Sequence, residues 1–242
     1  MKPHRTLLVI PCYRDGARLA AFLPGLCTAL EGGRGEVAVQ VVEDGSPHAE
    51  QLKLEGVITS LRQRHPFLQP LLICPVNGGK GQAIQTGWNG ATGADWLAFV
   101  DADGAVPAAE VVALLELAQA SPGPAVFIGD RTLSHEKTVQ RFWHRRLGSR
   151  LFNAWVRWWL RLNLPDTQCG LKVIPAELHA EAPWREAGFA FDLELLLRTR
   201  ARNLPIIAQP IEWREQPGTS LGPRAMLGLF LAAYRLRPAR RD

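Results

Sequence analysis

The chain has 242 residues, 47% of them apolar and 21% charged, which excludes a disordered or fibrous polymer and leaves room for one large domain with a sizeable core. Net charge is +5, and the excess is arginine gathered in 141–161 and 224–241, so anions are the expected partners. Four scattered cysteines, with no Cys-x-x-Cys pair and no histidine cluster, exclude a zinc site or disulfide framework and fit free thiols in a reducing cytoplasm.

The first apolar run, Leu7-Leu8-Val9-Ile10, predicts a buried strand, and 15–30 a helix. Residues 37–42 predict a second strand and 47–64 a helix. A short strand over 71–73 and a helix over 80–89 follow. Trp96-Leu97-Ala98-Phe99-Val100 is a fourth strand, then a helix over 107–119 with Pro107 at its first turn. Residues 125–128 are a fifth strand. Continuous apolar strands alternating with helices imply a doubly wound α/β domain with a mostly parallel sheet covered on both faces. The second half predicts a long basic and aromatic helix over 138–162, a strand over 171–174, a helix over 191–202 and a last strand over 206–213. No linker divides the chain, so a single domain over 1–242 is expected, with a basic tail at 222–242.

Only five apolar or β-branched residues, 6–10, separate the basic start from Pro11, too few for a signal peptide. No run approaches the ~18 to 20 apolar residues of a membrane-spanning helix. The expected location is therefore cytoplasmic, or peripheral at the cytoplasmic face of a membrane.

Polar groups gather where predicted strands end: Tyr13 and Asp15, then Glu43 and Asp44, then Asp101 and Asp103. A lone acid after a strand is usually a cap or turn former. Three clusters at three strand ends instead outline a ligand site, because open parallel sheets bind ligands beyond the carboxyl ends of their strands. The P-loop pattern fails around Gly79-Lys80, where Cys74 and Gly81 occupy the required Gly and Ser/Thr positions, and no Gly-x-Gly-x-x-Gly follows the first strand. Asp101-Ala102-Asp103 offers two hard oxygen ligands suited to Mg²⁺ or Mn²⁺ that also binds substrate phosphates.

Taken in order, Ile10-Pro11-Cys12-Tyr13-Arg14-Asp15, Val42-Glu43-Asp44-Gly45-Ser46, Asn77-Gly78-Gly79-Lys80-Gly81 and Val100-Asp101-Ala102-Asp103 resemble the successive signatures of glycosyltransferase family 2. Asp166-Thr167-Gln168-Cys169-Gly170-Leu171-Lys172, Phe191-Asp192-Leu193-Glu194, and Pro210-Ile211-Glu212-Trp213 with Gly218-Thr219-Ser220 are similar to the dolichyl/polyprenyl-phosphate sugar transferases, above all the dolichyl-phosphate glucosyltransferase branch. The resemblance covers about residues 6–221. It implies a GT-A fold and an inverting, metal-dependent hexosyltransferase. Pro11, Tyr13, Asp15 and Asp44 would then border the nucleotide, with Gly78, Gly79, Lys80, Asp101 and Ala102 near the donor. Asp101 and Asp103 would hold Mg²⁺ or Mn²⁺, and Arg131 would bind phosphate. Asp166, Gln168, Asp192, Glu194, Trp213 and Ser220 belong to the remaining motifs; by themselves Asp192 and Glu194 read as favouring a helix dipole. Departures stand at Arg14, Glu43 and Gly104-Ala105, the last removing a Gln that often follows the Asp-x-Asp pair.

A phosphate acceptor is already nucleophilic near neutral pH, its second pKa being ~6, and needs cations rather than a general base. Arg131, Arg145, Arg146 and Lys172 are the candidates. On the 138–162 helix, Leu147, Leu151, Trp155, Trp158 and Leu162 form one stripe and Arg146, Arg150, Arg157 and Arg161 another. That pattern fits either an element lying on a membrane surface or a helix packed on the sheet. The expected partners are a nucleotide-sugar donor (UDP-glucose, alternatively GDP-mannose), a lipid-phosphate acceptor and a membrane surface. No nucleic-acid motif appears. The rival from another class is a nucleotide-sugar-binding relative without turnover.

Overall fold

The computed structural model describes residues 4–33, 35–132, 139–140, 143–214, 216 and 223–236, with backbone alone at 139–140, 143–150 and 223–225. The expectations for the side chains of Arg145, Arg146 and Leu147, and for Gly218-Thr219-Ser220, lie outside the described residues.

The first half alternates as the apolar runs predict. It comprises β1 (Arg5–Cys12), α1 (Gly16–Glu31), β2 (Glu36–Asp44), α2 (His48–Arg62), β3 (Leu72–Cys74), α3 (Lys80–Trp88), β4 (Trp96–Val100), α4 (Ala108–Gln119) and β5 (Val126–Asp130). Then come β6 (Val139–Gln140), α5 (Trp143–Leu160), β7 (Leu171–Pro175), α6 (Ala176–Ala180), α7 (Phe191–Ala201), β8 (Ile206–Pro210), β9 (Trp213–Arg214) and α8 (Pro223–Arg235).

Seven strands form one sheet in the order β3-β2-β1-β4-β7-β5-β8, while β6 and β9 pair in a separate two-stranded ladder. All neighbours in the large sheet are parallel except β7, which runs antiparallel to both β4 and β5. The order reverses beside β1, whose two neighbours are β2 and β4, and that reversal opens a crevice at their carboxyl ends.

Strand residues alternate between two apolar layers, as a sheet covered on both faces requires. Leu8, Ile10, Trp96, Ala98, Val100, Leu171 and Val173 pack beneath α1, α2 and α4. Leu7, Val9, Leu97, Phe99 and Ile174 face α3, α5, α7 and α8. The alternation along β7 turns Lys172 to that second face, where it is fully buried.

Two sequence expectations are corrected and an open one is resolved. The helix expected from 138 starts at Trp143, because 139–140 pair with 213–214. The strand expected over 206–213 is two strands: Pro210 has no N–H to extend the ladder, and Ile211 donates instead to the Asp130 carbonyl (3.2 Å). On α5 the sequence left two readings of the Leu151/Trp155/Trp158 stripe open; Phe152, Val156 and Leu160 are the buried residues, while Leu151 and Trp158 are exposed.

The α3 helix approaches the sheet at Gly87, where a Cβ would lie 2.6 Å from one Val9 methyl and 2.9 Å from the other. Gly87→Ala should lower stability by about 1–3 kcal/mol, since overpacking against a stiff β-branched residue outweighs alanine's helix propensity. Urea unfolding checks this.

Candidate functional site

The crevice rim begins with the loop after β2. Asp44 is buried, and its carboxylate accepts from the Gly78 and Gly79 amides (2.8 Å each) and from Asn77 Nδ2 (2.9 Å). It thereby fixes the turn that leads into α3. Glu43 accepts from the Gly45 and Ser46 amides (3.1 and 2.8 Å), and Ser46 Oγ accepts from the Arg14 amide (2.8 Å). The ends of β1, β2 and β3 are thus one hydrogen-bonded unit.

Glycine is required twice where this unit meets the 185–188 segment. Gly79 has φ +94°, and a Cβ there would lie 2.9 Å from the Ala187 carbonyl; a Cβ on Gly81 would lie 2.7 Å from that of Glu186. The glycines therefore admit a neighbouring loop. That loop is pinned by buried Glu194, which accepts from the Arg185 and Glu186 amides (2.9 and 2.8 Å) and pairs with Arg198 (2.6 Å).

At the N-terminus of α3, Lys80 Nζ lies 2.8 Å from Asp101 Oδ1 and 3.2 Å from Asp192 Oδ2. Asp192 also pairs closely with Lys172, whose ammonium donates to the Cys169 carbonyl (2.7 Å). Both ammoniums stand over the Phe99 ring, at 5.1 and 5.5 Å from its centroid. Burial alone would strip charge from Lys80, but Asp101 and Asp192 outweigh it and raise its pKa. Burial likewise opposes the Asp192 carboxylate, yet Lys172 and Lys80 hold its pKa below the ordinary value.

Asp101 is the accessible member of this chain of charges, with 40% of its side chain exposed. Gly170 makes room for it: a Cβ there would sit 1.9 Å from Asp101 Oδ2. Asp103 accepts from the Ala105 amide (2.9 Å), across Gly104 at φ +69°. Burial raises the pKa of Asp103, and Asp101 and Asp15 raise it further. Asp15 is raised by burial and by Asp101 against the opposing pull of Arg18. Three carboxylates thus repel one another at the crevice between β1 and β4.

That donor set fits a hard divalent cation. Besides the Lys80 contact on Asp101 Oδ1 and the Ala105 contact on Asp103 Oδ1, each carboxylate keeps one oxygen without a protein donor among the described residues. No group of three or more His, Cys, Asp or Glu among those residues is arranged to hold a metal. Two carboxylates would hold Mg²⁺ or Mn²⁺ together with phosphate oxygens and water.

Arg131, just after β5, is gripped by Asp166, which accepts from Nε (2.6 Å), Nη2 (2.7 Å) and the Arg131 amide (3.2 Å). The opposite edge of the guanidinium makes no hydrogen bond among the described residues, and its Cζ lies over the Trp213 ring, 5.5 Å from the centroid. Gln168 donates its amide to Asp166 (3.3 Å), so it shapes this turn.

The structure therefore brings Asp15, Lys80, Asp101, Asp103 and Arg131 to one rim. Tyr13 is exposed there beside half-buried Pro11, whereas the Ala102 side chain is buried. Lys172 is a correction: it is wholly buried and committed to Asp192 and Cys169, so it does not face an acceptor phosphate. Asp192 and Glu194 do more than favour a helix dipole, since each holds a neighbouring element. Sequence reasoning missed the 185–188 loop and Arg198, which carried no signal. A cavity of about 750 Å³ opens at the other end of the sheet, near Arg5, Glu36 and Gln69, away from all of these groups. The chemistry, not the volume, marks the site.

Comparison with known proteins agrees with this geometry. The Glycosyl transferase family 2 profile matches residues 7–181. The dolichyl-phosphate beta-glucosyltransferase of Homo sapiens is 30% identical over 236 residues, covering 89% of this chain and 69% of the relative. That of Drosophila melanogaster is 28% identical, with 89% and 69% covered. The Trichomonas vaginalis dolichyl-phosphate beta-glucosyltransferase is 28% identical over 87% of this chain, which spans 64% of that relative's length. Among solved structures, glucosyl-3-phosphoglycerate synthase from Mycobacterium tuberculosis with UDP superposes at a TM-score of 0.66, with 17% identity and 97% and 80% of the two chains covered. Mannosyl-3-phosphoglycerate synthase from Rubrobacter xylanophilus gives 0.67, with 15% identity and 96% and 72% covered. The fold is GT-A.

Replacing Asp192 leaves two ammoniums buried with no shared anion. Asp192→Asn should cost about 3–5 kcal/mol in urea unfolding. The folded-state pKa of Asp192 is lowered, so its contribution is present above the ordinary carboxylate range and disappears as pH falls below it. The variant should therefore show a smaller loss of stability on acidification than the parent.

Proposed function

Because the chain belongs to Glycosyl transferase family 2, we propose that it moves a hexose from a nucleotide diphosphate donor, UDP-glucose, onto a polyprenyl phosphate of the dolichyl type, with inversion. The observation that carries this reading is the meeting of Asp101 and Asp103 with Lys80 and Arg131 at the β1/β4 crevice. The relatives' activity supports the lipid-phosphate acceptor and glucose, and the UDP-bound fold neighbour supports the nucleotide.

Transfer breaks the bond between the anomeric carbon and the departing diphosphate while an acceptor oxygen attacks from the opposite face. A divalent cation held by Asp101 and Asp103 would stabilise the charge that develops on the diphosphate. Lys80, kept charged by its two carboxylates, places a second positive group on the same side of the crevice. Arg131 is prevented from turning by Asp166 and presents its free edge to phosphate oxygens. A phosphate acceptor brings its own nucleophilic oxygen, so positioning replaces proton abstraction. Pro11, Tyr13, Asp15 and the β2 turn ordered by Asp44 border the nucleotide in this reading.

Two measurements test it. Nucleoside diphosphate release should occur from UDP-glucose with Mn²⁺, depend on added polyprenyl phosphate in detergent and vanish with EDTA. Preference for GDP-mannose would overturn the donor, and metal-dependent nucleotide binding without turnover on any acceptor would overturn the enzyme. Asp103→Asn should raise the metal-free Tm by roughly a few degrees, because a repelled, half-desolvated charge is removed. The same variant should lose the Mn²⁺-dependent rise in Tm and about 10²-fold or more in kcat.

A further inference from the structure

Helices α5 and α8 pack side by side on the same face of the sheet. Phe152 meets Phe230 (5.1 Å between ring centroids), Trp155 meets Phe230 (5.0 Å), and Trp159 stacks on Tyr234 (5.1 Å). The inward sides are satisfied: Phe152, Val156 and Leu160 on α5, and Leu229, Ala232 and Ala233 on α8, are buried in the core. A soluble amphipathic helix would be polar on the other side. Here it is apolar again.

On α8, Leu227, Phe230, Leu231 and Tyr234 recur at helical spacing and point outward, with Tyr234 62% exposed. On α5, Leu151 and Trp158 do the same, and Trp158 is 73% exposed. The charge the two helices themselves carry has one sign: they contain six arginines and no aspartate or glutamate, and Arg157 and Arg235 are exposed. No helix among the described residues is long and apolar enough to cross a membrane.

We propose that the joint outer face of α5 and α8 is a docking surface for an anionic lipid bilayer, with Trp158, Leu227, Leu231 and Tyr234 in the interface and the arginines on headgroup phosphates. Exposed apolar and aromatic anchors on two helices whose own charges are all cationic, Arg157 and Arg235 among them, complement such a surface, whereas a second copy would bring like charges together. Both helices also connect to residues around the crevice. Asn153 of α5 accepts from Thr167 (2.9 Å), next to the Asp166 that holds Arg131, and Arg235 of α8 lies within electrostatic reach of Glu186 in the loop against Gly79 and Gly81.

The test uses the full chain and vesicles of phosphatidylcholine, with or without phosphatidylglycerol, and without any polyprenyl lipid, so it is independent of the transfer reaction. The chain should float with the anionic vesicles, release at high salt and show a blue-shifted tryptophan emission. The double variant Trp158→Glu/Leu231→Glu should lose roughly tenfold or more in partitioning, with its circular dichroism and nucleotide binding unchanged. Three results would overturn the proposal: a parent chain that does not float, a double variant that floats equally well, or a dimer that the double variant splits while neither protein floats.

Discussion

Asp192 is the point on which the site's geometry depends. Its carboxylate is shared by Lys80, at the start of α3, and Lys172, in the middle of β7, beneath the face of Phe99 from β4. Four elements that are distant in sequence are joined by a group that is itself fully buried. Taking such charges out of water is costly, and the arrangement holds because each charge is met by another at hydrogen-bonding distance. Its consequence reaches outward. Lys80 is aimed at Asp101 because its other partner is fixed, so a surface carboxylate at the crevice is positioned from the interior.

A second constraint sets the rim. Asp44 and Glu194 each spend their oxygens on backbone amides, Asp44 on the 77–79 turn and Glu194 on the 185–186 segment. The two ordered loops meet at Gly79 and Gly81, where no side chain fits. The glycines in the Asn77-Gly78-Gly79-Lys80-Gly81 motif thus act first on packing. Loops held in this way lose little further freedom when a ligand binds, which on the proposed reaction would lower the entropic cost of positioning a diphosphate.

Much of this was legible in the sequence. Unbroken apolar runs located the strands of the first half to within two residues at most ends, because the central strands are covered on both faces and polar residues fall at their limits; β3, at the sheet edge, is exposed. The rim was legible from Tyr13, Asp15, Asp44, Asp101 and Asp103, since strand ends converge in any doubly wound sheet. The remainder depends on long-range geometry with no local signature. The antiparallel course of β7 is set by the chain's return path, and the burial of Lys172 follows from that course, not from its neighbours in sequence. Glu194 looked like a helix-dipole residue because the loop it holds precedes the helix and carries no pattern. On α5, counting by heptads identified Leu151, Trp155 and Trp158 as one stripe but left open its direction. The structure turns Phe152, Val156 and Leu160 inward instead, onto the sheet and its neighbouring helices.

The departures from the family pattern acquire physical consequences in this setting. Glu43 caps the Gly45-Ser46 turn with both of its oxygens, so the acid there serves the backbone. Ala105 is buried, its amide donates to Asp103 and its carbonyl accepts from the Arg214 amide (2.9 Å), so the position gives no side-chain oxygen to the crevice. The Asp-x-Asp pair then offers a cation two carboxylates, and one of them, Asp101, already pairs with Lys80. On the proposed reaction, neither cation nor donor diphosphate then finds a complete set of partners alone. Each supplies what the other lacks, oxygens in one direction and charge in the other. Linkage requires that such coupling be mutual, so the cation must tighten the donor by the factor by which the donor tightens the cation. On that proposal, a site built in this way would be weak toward free metal and selective for the metal–nucleotide pair.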